Sequence, residues 1–168
     1  MGFPFMAGSS LPVTWRIPSI EMPTGAKVDE AVCVGYGGVD SYDFHGLETL
    51  QCMVERRGGG EVGVKWLQAY RGEAFWQAHH EEVWPRDLFE AALCRSHTLT
   101  PPRPGFNNSF PTIDDLKEQA KDPIAYHYEH LDGLRSTMIL LNGVVCDFNF
   151  AARLEGREAP LSTQMYLP

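Results

Sequence analysis

The dipeptides Asp132-Gly133 and Asn142-Gly143 constrain this chain more than any other feature. An Asp-Gly or Asn-Gly pair between alternating apolar residues favours a two-residue turn whose twist matches a β-hairpin. The two pairs separate residues 124–131, 134–141 and 144–152. In the last segment Val144, Cys146, Phe148 and Phe150 share one face, and Asp147 and Asn149 the other. The pattern predicts three antiparallel strands joined by two tight turns.

Elements upstream follow from the same periodicities. Residues 27–34 read as a strand with Val28, Val32 and Val34 on one face and Ala31 and Cys33 on the other. Both faces are partly apolar, as in an interior strand. Residues 43–57 have helical spacing at Phe44, Leu47, Leu50, Gln51 and Val54, with Asp43 as cap. Arg56 and Arg57 suit its last turn, and Gly58-Gly59-Gly60 stops it. Val62, Val64 and Trp66 alternate, which predicts a strand over 61–71. Residues 73–80 fit either a short helix or an extension of that strand. Pro85 to Arg95 reads as a helix with a stripe of Leu88, Phe89, Ala92 and Leu93. Residues 96–112, rich in proline, form a long loop, and Thr112 caps a short helix over 113–121. The opening Phe3 to Ser10 reads as a strand running into a loop. The sum is an α+β fold: a mainly antiparallel open sheet with helices packed on one face. The chain still reads as apolar at Gln164 to Pro168, as though clipped from a longer protein.

Composition narrows the function classes. With 168 residues and 43% apolar content, one hydrophobic core is feasible. Lys+Arg 14 against Asp+Glu 22 leaves a net charge of −8, which disfavours phosphate backbones, so no nucleic-acid partner is expected. No apolar run reaches the length of a membrane span, and the start lacks a basic region typical of a secretory signal. The expected compartment is the cytoplasm. Cys33, Cys52, Cys94 and Cys146 are widely and irregularly spaced, as reduced, buried small hydrophobes would be.

The segment from Gly37 to Glu48 holds the chemistry. It leads from a strand through a glycine turn into a helix, with His45 in the first turn and Glu48 three residues on. A carboxylate beside an imidazole raises its pKa and fixes its tautomer, which suits a general acid or base. The plainer reading is a capped helix with ordinary polar residues. His79-His80-Glu81-Glu82 invites a metal reading, but neighbouring residues diverge around a helix, so a solvated cluster fits better. On a strand Tyr126, Tyr128, His130 and Asp132 share one face, opposite His127 and Glu129. That face offers the aromatic rings and hydroxyls of a polar substrate pocket, or simply a half-exposed strand. Trp66, Trp76 and Trp84 fit a pocket wall or core packing.

The run Gly37-Gly38, an acid, then His45, two residues and Glu48 resembles the second domain of the Gfo/Idh/MocA oxidoreductases, NAD(P)-dependent dehydrogenases mostly of sugars and polyols. Pro4 to Gly8 resembles the last strand of that family's Rossmann domain, and Arg16 and Pro18 stand at roughly its place for an Arg and a Pro. The resemblance implies that residues 1–24 are the end of a Rossmann strand with its connection, and 25–168 a substrate and oligomerisation domain. It implies that His45 lies near the reacting hydroxyl, with Glu48 where the family usually has Asp. The family's catalytic Asp position is Ser41 here, flanked by Asp40 and Asp43, which become the carboxylates supporting His45. Tyr126, Tyr128 and His130 would contact a sugar- or polyol-like substrate. The family's lysine and its glycine-rich loop would precede Met1. Gly35-Tyr36-Gly37 is no substitute, because the third glycine position is Asp40, whose charge would repel a pyrophosphate. NAD or NADP is therefore implied for a full-length parent and not for this chain. Expected partners are the missing Rossmann domain and a second copy through the sheet. The alternatives are a non-catalytic ligand-binding or dimerisation sheet domain, and a metal-dependent hydrolase using His45, His79 and His80.

Overall fold

The computed structural model describes residues 8–105 and 108–166; of Phe3 to Ser10, expected as a strand running into a loop, residues 3–7 lie outside them. A seven-stranded mixed sheet carries the fold. Its strands are β1 (Trp15–Ile17), β2 (Val28–Gly35), β3 (Val64–Arg71), β4 (Ile124–His130), β5 (Arg135–Leu140), β6 (Phe148–Leu154) and β7 (Leu161–Tyr166). They lie in the order β1-β7-β6-β2-β5-β4-β3. The helices are α1 (Asp43–Val54), α2 (Glu73–His80), α3 (Arg86–Leu93) and α4 (Ile113–Gln119). Among the described residues no helix is long and apolar enough to cross a membrane.

The Asp132-Gly133 hairpin forms as expected and pairs β4 with β5. The second hairpin does not. β2 lies between β5 and β6, parallel to the first and antiparallel to the second. Asn142-Gly143 still turns the chain, with Val144 N–H donating to Leu141 O at 3.2 Å. However, the segment then passes the end of β2 before β6 begins. The cause lies in β2 itself: Ala31, Val32, Cys33 and Val34 are all fully buried. A strand apolar on both faces gains most from two neighbours and two covered faces.

The expectation of helices on one face is corrected for the same reason. Ala31 and Cys33 pack with Leu50, Met53 and Val54 of α1. Val32 and Val34 pack on the other face with Phe75 of α2, Leu88 and Phe89 of α3, and Leu116 of α4. Residues 73–80 resolve as a helix. Thr112 caps α4 in a reciprocal box with Asp115. β7 has no counterpart in the sequence expectations. Leu11 and Met22, upstream of the expected boundary at residue 24, are buried in the same core as α1. β1 joins the sheet edge through β7. The cysteines are all free, but only Cys33 is buried; Cys94 and Cys146 are exposed.

Two polar contacts position α1. Arg57, just beyond the helix and 5% exposed, donates to Val54 O at 2.9 Å and to Asp132 Oδ2 at 2.8 Å. It ties the helix end to the β4–β5 turn. Near the same end, Arg16 lies 3.9 Å from Cys52 Sγ and donates to the carbonyls of Pro12 and Thr14, which fixes the turn before β1 against the helix.

Two histidines are held neutral in the core. His79 accepts from Trp84 Nε1 at 3.1 Å, and His127 lies 2.8 Å from Thr137 Oγ1. Burial pushes each pKa down to about 4. The unfolded chain therefore binds protons that the native chain refuses, and stability falls as pH drops from about 6.5 towards 4. Glu30 and Glu55, whose pKa values burial raises, act in the opposite sense. Replacing one histidine isolates its share: urea unfolding of His127→Gln should lose up to about 3 kcal/mol of the wild-type pH dependence across that window. Identical pH profiles for variant and wild type would show that His127 is not held neutral.

Candidate functional site

The carboxyl ends of β2 and β5 lie side by side, with Gly35 opposite Leu140, and β6 starts beside them. Two cavities open at this end of the sheet. The sequence builds it with small residues. A Cβ on Gly35 would stand 2.3 Å from the Phe148 ring. Gly37 has φ +102°, and a Cβ there would stand 2.2 Å from Tyr42. The Asn142 amide holds Gly37 from both sides: Gly37 N–H donates to Oδ1 at 2.6 Å, and Nδ2 donates to Gly37 O at 2.9 Å. The chain then turns through Gly38, whose carbonyl accepts from Ser41 and Tyr42 N–H, and enters α1.

His45 stands in the first turn of α1 and lines a cavity of about 160 Å³ with Ser10, Leu11, Tyr36, Tyr42 and Phe148. Its ring lies 3.9 Å from that of Phe44 and 5.6 Å from that of Tyr42, centroid to centroid. The side chain that meets the imidazole is Ser9, whose Oγ lies 2.6 Å from Nδ1. Ser9 Oγ also accepts from Leu11 N–H at 3.1 Å, so the hydroxyl is held in place. Nδ1 is thereby engaged, and Nε2 is the ring nitrogen left for a ligand.

The expected carboxylates are placed otherwise. Asp43 accepts from Phe44 N–H at 2.9 Å and from Tyr126 Oη at 3.3 Å, and so serves the helix start. Asp40 is exposed in the preceding turn with φ 65°. Glu48 is exposed; its Oε2 lies 3.7 Å from where a Cβ on Gly8 would stand. Tyr126, Tyr128 and His130 do share one face, but α1 covers it. Tyr128 is 2% exposed and His130 is 1% exposed, and burial raises the Tyr128 pKa and lowers that of His130. Of the three, only Tyr126 reaches the start of α1.

A second cavity of about 160 Å³ shares the Tyr36 and Phe148 walls and adds Cys146, Asp147, Gln164 and Tyr166. A wider concavity of about 420 Å³ lies at the β1 edge around Trp15 and Arg16, where the guanidinium is already used by carbonyls. His79 belongs to the core on the other face of the sheet from α1, so it cannot share a metal with His45. Among the described residues no group of three or more His, Cys, Asp or Glu side chains is placed to hold a metal ion.

The Gly35-Tyr36-Gly37 turn does not fit a dinucleotide. The Gly37 N–H that would face a phosphate is spent on Asn142, and Tyr42 packs against the glycine. No family model, curated protein or solved structure matches the chain.

Ser9, Tyr36, Asn142 and Phe148 were not among the residues that sequence reasoning singled out for the site. Ser9 reads as an ordinary loop serine, and Asn142 reads as half of a hairpin signal. The Ser9–His45 contact gives a direct test. Ring-nitrogen NMR should show one dominant His45 tautomer in the wild type and a mixture in Ser9→Ala, with stability changed by about 1 kcal/mol or less. An unchanged tautomer ratio would show that Ser9 does not set it.

Proposed function

We propose that this chain is the substrate-binding half of an oxidoreductase of the Gfo/Idh/MocA type, acting on a sugar- or polyol-like hydroxyl, with His45 as the proton-transfer group. The observation that carries the reading is His45 itself: a histidine in the first turn of a helix that follows a strand and glycine turn, lining a cavity at the strand's carboxyl end, with one ring nitrogen tied to a hydroxyl. With Nδ1–H donating to Ser9 Oγ, Nε2 is basic and takes the proton of a substrate hydroxyl. The imidazolium so formed keeps the same bond to Ser9, so proton uptake needs no rearrangement. Ser9 replaces Asp40, Asp43 and Glu48 as the partner of the imidazole. The nicotinamide cofactor belongs to a separate domain and supplies the hydride chemistry there.

The test uses the full protein encoded at this locus, whose upstream reading frame should carry a strand, a G-x-G-x-x-G turn and a helix. With NAD⁺ or NADP⁺ and a polyol panel, His45→Ala should lower kcat/KM by about 10²–10⁴-fold. Ser9→Ala should lower it by about tenfold and move the pH profile. Wild-type activity in His45→Ala would remove the proposal.

A second reading, a non-catalytic domain that pairs with its own copy through the sheet, is favoured by β3. Among the described residues this eight-residue edge strand pairs with β4 alone, and it exposes Val64, Trp66 and Leu67. Leu67 also lines an apolar groove with Leu47, Gln51 and Tyr128. Such an edge is a template for strand pairing. If it pairs two copies, Leu67→Glu should convert a sedimenting dimer into a monomer; a wild-type monomer at high concentration would dismiss that reading.

A further inference from the structure

The second cavity has chemistry of its own, centred on Asp147. Its carboxylate accepts four hydrogen bonds: from Ser96 Oγ at 2.8 Å, His97 N–H at 2.9 Å, Asn149 Nδ2 at 2.6 Å and Gln164 Nε2 at 2.7 Å. All four donors are neutral. Among the described residues, no lysine or arginine forms an ion pair with Asp147. Its charge is therefore fixed in place without being neutralised. A carboxylate only accepts, so both amides must turn their NH₂ groups towards it. That leaves Gln164 Oε1 and Asn149 Oδ1 as the free ends, and both are buried without a partner. Gln164 is 3% exposed and lines the cavity. A buried acceptor without a donor costs about 1–3 kcal/mol, so the site gains from a ligand that supplies one. The rings of Tyr36, Phe148 and Tyr166 also line it. Negative charge, an acceptor awaiting a donor and aromatic walls together complement an organic cation that carries N–H groups.

We propose that this cavity binds a primary ammonium group. Gln164 Oε1 accepts one N–H, Asp147 supplies the opposing charge, and the aromatic rings hold the carbon skeleton. The four donors occupy the lone pairs of the carboxylate, so Asp147 acts through its charge while Gln164 makes the direct bond. An anion is repelled, and a neutral alcohol satisfies Gln164 but gains nothing from the charge. The site stands whether or not His45 transfers a proton.

Cyclohexylamine and cyclohexanol, which share one ring and differ in charge, test it by calorimetric titration of the intact chain at mildly alkaline pH. The amine should bind at least tenfold more tightly than the alcohol, and Gln164→Leu should lose at least tenfold of the amine affinity. A second measurement needs no variant. Cys146 lines the same cavity, so bound amine should slow its alkylation, followed by peptide mass mapping, while exposed Cys94 keeps its rate. Equal affinities for amine and alcohol, unchanged amine affinity in a folded Gln164→Leu protein, or no protection of Cys146 at tens of millimolar amine would each overturn the proposal.

Discussion

One side-chain amide holds together the end of the sheet where the two cavities lie. Asn142 bonds both the N–H and the C=O of Gly37, joining the chain leaving β5 to the chain leaving β2. Leu141 N–H adds a bond to Gly35 O at 2.8 Å. The junction stands where the segment after β5 crosses the end of β2 instead of folding straight back. β6 can then pair with the far side of β2, and Phe148 comes to rest over Gly35. Tyr36 and Phe148, shared by both cavities, are placed by that crossing.

The junction matters because β2 must be central. Its two apolar faces need cover, and the fold supplies α1 on one side and α2, α3 and α4 on the other. α1 cannot drift, since Arg57 anchors its end to the β4–β5 turn and Asp43 meets Tyr126 at its start. His45 therefore projects from a helix tied at both ends, which suits a group that must orient a ligand. The two cavities share the Tyr36 and Phe148 walls, with the His45 imidazole on one side and the Asp147 carboxylate on the other.

Much of this was legible in the sequence. The interior character of β2 followed from Val32 and Val34 alternating with Ala31 and Cys33. α1, α3, the capped α4 and the Asp132-Gly133 hairpin followed from spacing and turn chemistry. His45 stood out at the helix start. What could not be read was long-range. The Asn142-Gly143 pair makes its turn either way, and only the competition for a place beside β2 decides that β5 and β6 separate. The same non-local choice covers Tyr128 and His130 with α1. Ser9 meets His45 across thirty-six positions of sequence, a distance at which no periodicity operates. Asp147 shows the same limit: its alternation with Phe148 placed it on the opposite face, but its four donors come from β6, β7 and the 96–97 loop.

The geometry around His45 depends on the junction between Asn142 and Gly37. The most direct test combines amide exchange at Gly37 with the ring signals of His45, compared between wild type and Asn142→Ala. The Gly37 amide should be protected in the wild type and exchange freely in the variant, together with shifted or broadened His45 signals. Free exchange at Gly37 with an unaltered His45 ring would contradict this dependence, because the site would then stand without the Asn142–Gly37 junction.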